Sequence, residues 1–103
     1  MGVSGQDAVK VAPHVYKVLF ENEQVRVLDV RMKPGEKSAM HSHPAYVVYV
    51  LDAAGKVKLT SSDGESAQVE LKPGDVMWRE PETHMAENSG SANLHAVFVE
   101  LKK

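Results

Sequence analysis

Apolar and polar residues alternate along most of this chain, and turn signals interrupt the alternation about every 8 to 12 residues. A period of two is the signature of strands, whose successive side chains point to opposite faces. The segments "HVYKVLFE" (14–21), "VRVLDVRM" (25–32), 38–43, 46–52, "KVKLTS" (56–61), "AQVELK" (67–72), "DVMWRE" (75–80), "THMAEN" (83–88) and "LHAVFVELK" (94–102) all carry it. Between them stand Pro34-Gly35, Pro44, "DAAG" (52–55), "SSDG" (61–64), Pro73-Gly74 and "SGSAN" (89–93), residues that turn or break a strand. About nine short strands follow, with at most a brief helical turn in the first dozen residues. So many short antiparallel strands bury their apolar faces by closing into a sandwich or barrel.

At 103 residues the chain fits one domain, with an N-terminal extension at 1–13 and the strands over about 14–102. Its 12 basic and 14 acidic residues are interspersed, so no surface for nucleic acid or membrane is indicated. No apolar run approaches the roughly 18 residues of a membrane-spanning helix, and the first residues do not read as a secretory signal, so a cytoplasmic location is expected. With no cysteine, disulfides and thiolate ligands are excluded, and any metal must be held by His, Asp or Glu.

Histidines supply the candidate chemistry. His41 and His43 flank Ser42 at the mouth of an apolar strand. Residues two apart on a strand share a face, so both imidazoles can converge on one ion. His84 opens a later strand after the irregular turn "REPETH", and His95 lies one residue into the last strand. A lone His-x-His is a weak signal. Its weight comes from the spacing around it.

Gly35 is followed by five residues, then His41, Ser42 and His43, four residues, Val48, six residues and Gly55. Further on, Gly74-Asp75 is followed by eight residues, His84, three residues and Asn88. These two spacings, in this order, resemble the paired motifs of the cupins, small double-stranded β-helix (jelly-roll) barrels. The likeness runs from about residue 16 to 101. Two departures stand out. Val48 takes the place of the motif's glutamate, and the usual Pro and Gly before the second-motif histidine fall on Arg79 and Pro81. The chain also looks like small bacterial cupins named as beta-alanine degradation proteins, a likeness that hints at amino-acid or amine catabolism.

The resemblance implies an all-β jelly-roll barrel in which His41, His43 and His84 hold a divalent metal. Fe(II) leads, because cupin thiol dioxygenases use a three-histidine site, and Ni, Zn or Mn are alternatives. Tyr46, Arg79 and His95 are the candidate catalytic residues. Tyr46 offers a hydroxyl, Arg79 a bidentate fork for a carboxylate, and His95 a fourth ligand or a group that backs the ligands. His95 shares a face with Val97, Val99 and Leu101, which the alternation takes for the interior. Glu80, Glu82 and Glu87 surround the His84 turn and can supply the missing carboxylate or stay solvated. Asn88 is expected to stabilise a turn, and Trp78 to meet the core or a partner chain. The expected ligand is a small, carboxylate-bearing metabolite bound by a homodimer. Two classes stay open: a metal-dependent, dioxygenase-like enzyme, and a non-catalytic or vestigial binding module.

Overall fold

The computed structural model of the protein describes residues 7–52 and 55–102. A short helix α1 (Ala8–Val11) precedes nine strands: β1 (Tyr16–Glu21), β2 (Val25–Met32), β3 (His41–His43), β4 (Tyr46–Asp52), β5 (Gly55–Ser61), β6 (Ser66–Leu71), β7 (Val76–Arg79), β8 (Glu82–Asn88) and β9 (Leu94–Leu101). The strand count and order follow the alternation. The expected turn at 52–55 lies partly outside the described residues. The third strand is shorter than its pattern: Ser38 leaves the ladder and spends its backbone N–H and side chain on Ala86 instead.

The strands form two antiparallel sheets, β1-β2-β9-β4-β7 and β3-β8-β5-β6. Among the described residues the sheets face each other across one shared core and do not close into a continuous hydrogen-bonded barrel. This is the jelly-roll way of burying two apolar faces. Leu28, Val30, Val48, Val50, Leu94 and Ala96 from the first sheet meet Val57, Leu71 and Ala86 from the second. The glycines of the two Pro-Gly turns, Gly35 and Gly74, both take positive φ (82° and 92°), a conformation other residues adopt only with strain. Their N–H groups bond Asn88 O and Val50 O, which docks each turn on the strand it serves.

Register sorts the inner face of the first sheet into rows. Leu28, Phe98, Val48 and Met77 form an apolar row. The next row, nearer one end, is Arg26, Glu100, Tyr46 and Arg79, and every member carries a polar tip. On the second sheet, His41 pairs with His84 and His43 with Glu82. One end of the interior is therefore polar and the rest apolar.

Candidate metal centre

His41, His43 and His84 come together at that polar end, all three buried, with one potential ligand atom from each lying within 4.8 Å of the others. Their ring centroids are 4.7 to 5.3 Å apart in edge-on arrangement. The cross-strand pair His41–His84 sets two of the rings, and the two-residue period of β3 adds His43 on the same face.

Each ring is anchored through Nδ1 or has an acceptor near it. His41 Nδ1 donates to Ala39 O at 2.7 Å. His43 Nδ1 lies 2.7 Å from Glu100 Oε2. A carbonyl and a carboxylate can only accept, so both imidazoles carry their proton on Nδ1 and turn a lone pair outward on Nε2. His41 Nε2 accepts from the Tyr16 hydroxyl at 3.2 Å, whereas His43 Nε2 is buried with no partner. His84 Nδ1 is also buried without a hydrogen bond, 3.4 Å from Glu82 Oε1. Buried polar atoms nearly always find partners, so two orphaned nitrogens among three clustered histidines suit a ligand-binding site. For His41 and His43, protonation is disfavoured. Burial, with the charge of His43 adding to it, pushes His41 down to about 4. Burial also lowers His43, against the pull of Glu100. Burial thus favours the neutral imidazole at His41 and His43, the form that binds a divalent cation. The residues present fit a metal.

Glu82 adjoins the trio at His84 but is tied mainly to other partners. It accepts two hydrogen bonds from Arg79 at 2.7 Å and one from the Tyr46 hydroxyl at 2.6 Å. Burial alone would raise its carboxyl, but Arg79 foremost, with His84 and Tyr46, holds it well below the carboxylate range. Burial raises both tyrosines, Tyr46 with help from Glu82 and Tyr16 with help from Glu100, so both hydroxyls stay protonated.

Of the residues expected at the site, Tyr46 is interior, with its hydroxyl on Glu82. Arg79 is also at the polar end, but its fork is filled by Glu82. His95 is elsewhere. Its parity puts it on the outer face of β9, where Nε2 meets Asp29 Oδ1 at 2.6 Å. The alternation misled because both faces of this central strand are apolar: Leu94, Ala96 and Phe98 face in, while Val97 and Val99 are half-buried outside. The same error hid Glu100, only 2% exposed, an acid on the core face of an apolar strand. Tyr16 was missed as well, since nothing local separates it from an ordinary strand aromatic. Val48 is interior, as expected, and lines with His84, Tyr46, Arg79 and Phe98 a cavity of about 60 Å³.

A family model described as a cupin domain matches residues 28–100. The chain belongs to the cupin family. A crystal structure of a cupin domain from Bordetella pertussis is similar over 99% of this chain and 100% of that one, with 27% identity and a TM-score of 0.77. An RmlC-like cupin with a double-stranded β-helix fold from Methanocaldococcus jannaschii matches 85% of this chain and 79% of its own, at 20% identity and a TM-score of 0.66. A predicted oxalate decarboxylase from Thermotoga maritima matches the same shares, at 21% identity and a TM-score of 0.61. The last two show the fold alone. No curated protein matches the chain.

Proposed function

We propose that the protein is a metal-binding cupin that holds one divalent ion on His41, His43 and His84, with Fe(II) as the physiological ion and Ni, Zn or Mn as substitutes. The observation that carries this is the pair of orphaned buried nitrogens, His43 Nε2 and His84 Nδ1, in a buried trio that offers one ligand atom from each residue within 4.8 Å of the others. A cation bound there also takes His41 Nε2 from the Tyr16 hydroxyl.

A metal at this point supplies Lewis acidity, and in the case of Fe(II) access to oxygen chemistry. The chain's own residues bind and enclose. A cavity of about 60 Å³ has room for roughly four water-sized groups, so the ligand's body is a few non-hydrogen atoms. Most of its lining is apolar, including Val30, Val48, Val57, Leu71 and Phe98. Arg79 is already neutralised by Glu82, so a carboxylate on the ligand is bound by the ion itself. A small carboxylate metabolite with an apolar body fits this division. The proposal includes a dioxygenase-like activity, a place in amino-acid or amine catabolism as in the beta-alanine degradation cupins, and a cytoplasmic homodimer.

A second reading, binding without turnover, is favoured by one observation. Tyr16 and Tyr46 are held protonated and Glu82 is locked by Arg79, so none is a ready general base. Elemental analysis of freshly purified protein beside the His41→Ala/His43→Ala/His84→Ala variant tests the metal. Near-stoichiometric metal in the first and none in the second is the expected result. Two empty proteins, even after anaerobic Fe(II) or Ni(II), would remove the metal reading. Oxygen uptake with small carboxylates and amino acids then separates enzyme from binder.

A further inference from the structure

A buried carboxylate is expensive unless paired, and Glu100 is paired on both oxygens. Oε1 takes Arg26 Nε at 2.9 Å and Nη2 at 2.8 Å. Oε2 takes His43 Nδ1 at 2.7 Å. Arg26 continues to Asp7 Oδ1 at 2.6 Å, on the segment that bridges to Ser42 between the two histidines of β3. The chain Asp7–Arg26–Glu100–His43 thus runs from the start of the described residues to the trio.

An Arg–Glu pair serving only the fold would have no need to aim its second oxygen at a histidine. Here that oxygen meets a ring whose other nitrogen is buried and unpartnered and which packs edge-on against His41 and His84. Histidines that ligate metals are commonly fixed in this way by an acceptor on the far nitrogen. From this geometry we infer that Glu100, clamped by Arg26 and Asp7, is the positioning residue of the centre, fixing the tautomer and orientation of His43. The inference rests on the metal reading above. It assigns a role to a residue outside both histidine motifs and ties the N-terminal segment to the site.

One substitution gives a pointed test. In Glu100→Gln, Arg26 still presents two donors, so the carbonyl oxygen must face Arg26 and the amide NH₂ must face His43. His43 Nδ1 then has to accept, its proton moves to Nε2, and the lone pair meant for the ion is lost. Long-range ¹H–¹⁵N spectra of metal-free protein should show His43 as the Nδ1–H tautomer in wild type and as Nε2–H in the variant. Ni(II) affinity by titration should fall about 10- to 100-fold. A second variant guards against misfolding. Arg26→Met/Glu100→Met replaces the buried pair by apolar bulk, a change that folds tolerate. Leaving His43 Nδ1 without its acceptor, it should lower the melting temperature of the metal-free protein modestly while keeping a cooperative transition, and show the same loss of Ni(II) affinity. Retention of the Nδ1–H tautomer in Glu100→Gln, or Ni(II) affinity within twofold of wild type in either variant, would overturn the inference. If wild type itself binds no Ni(II), the metal reading falls by itself, and the tautomer spectra still decide whether Glu100 governs His43.

Discussion

Returning the motif's glutamate, as Val48→Glu, puts the valine's place in the site to a quantitative test. Val48 is 6% exposed, and its cross-strand neighbours Phe98 and Met77 are both apolar. A carboxyl placed there has no built partner, since Arg79 and Arg26 are already taken by Glu82 and Glu100. Buried glutamates of this kind titrate near 8–9 against about 4.3 when unfolded, so at pH 7 the residue is protonated in the fold and ionised in the unfolded chain. At about 1.4 kcal/mol per pH unit over the interval from 4.3 to 7, the cost is about 3–4 kcal/mol. For a domain of this size that lowers Tm by roughly 15–25 °C.

The sign follows from linkage. The folded pKa is raised, so the penalty is small near pH 4 and grows as pH rises toward 7. Melting wild type and variant in metal-free buffer at several pH values, and taking the difference at each, isolates it. With Ni(II) or Zn(II) present the same carboxylate becomes a fourth ligand, and the variant should bind the ion at least about tenfold more tightly than wild type. Equal metal-free stability at pH 7 would show that position 48 does not face a dry interior. A stability loss with unchanged metal affinity would show that it does not face the trio.

Three further outcomes are expected. Because His41 is held down to about 4 from 6.5, and His43 is lowered too, the metal-free protein should keep its full stability above pH 6.5. It should lose stability as pH falls toward 4, by about 3 kcal/mol from His41; Glu82 adds its own loss only below about 4.5, and a flat urea-denaturation series between pH 7 and 4.5 would contradict the burial of His41. Asn88 is fully buried and bonds Met32 O, Ala92 O and the Gly90 N–H, so Asn88→Ala should cost about 2–4 kcal/mol, read as a fall in the denaturation midpoint with the metal site intact. Finally, Phe20, Val27, Val99, Val47 and Trp78 line up across the outer face of the five-stranded sheet, with Phe20 54% and Trp78 51% exposed. If that face pairs two chains, Trp78→Lys should convert a dimer to a monomer in light scattering, and an unchanged mass would place any dimer contact elsewhere.

Strand positions could be read from the sequence because each strand carries its own alternation and each turn its own Pro, Gly or Asp. The trio was readable because β3 delivers two of its members by period alone. The facing direction of β9 was not. Local pattern cannot tell inner from outer where both faces are apolar, and that choice decided whether His95 or Glu100 pointed at the histidines. The lock on Arg79 was hidden for a different reason. Its partner Glu82 lies three residues away across a turn, and only the folded turn shows that the guanidinium is already satisfied. Tyr16 reaches His41 across 25 positions of sequence, which no window can report.

The exchange of glutamate for valine changes the charge of the site more than its shape. Imidazole ligands bring no negative charge to an ion, and Glu82 and Arg79 cancel. Asp7, Arg26 and Glu100 leave one negative charge, set behind His43 and not at the ion. A resident dication therefore keeps most of its charge for an incoming ligand, which favours an anion. When the ion is absent, the described residues place no unpaired carboxylate in the interior, because Val48 stands where one would be. A dication-free site with a buried acid would be unstable at neutral pH, by the same 3–4 kcal/mol estimated for Val48→Glu. Wild type avoids that cost. Chelation should therefore lower Tm only by the mass-action contribution of the bound ion and leave a cooperative transition. Thermal melts of the metal-loaded protein before and after dialysis against EDTA measure this. A chain that loses its cooperative transition on chelation would show that the ion, and not the apolar rows behind it, holds the two sheets together.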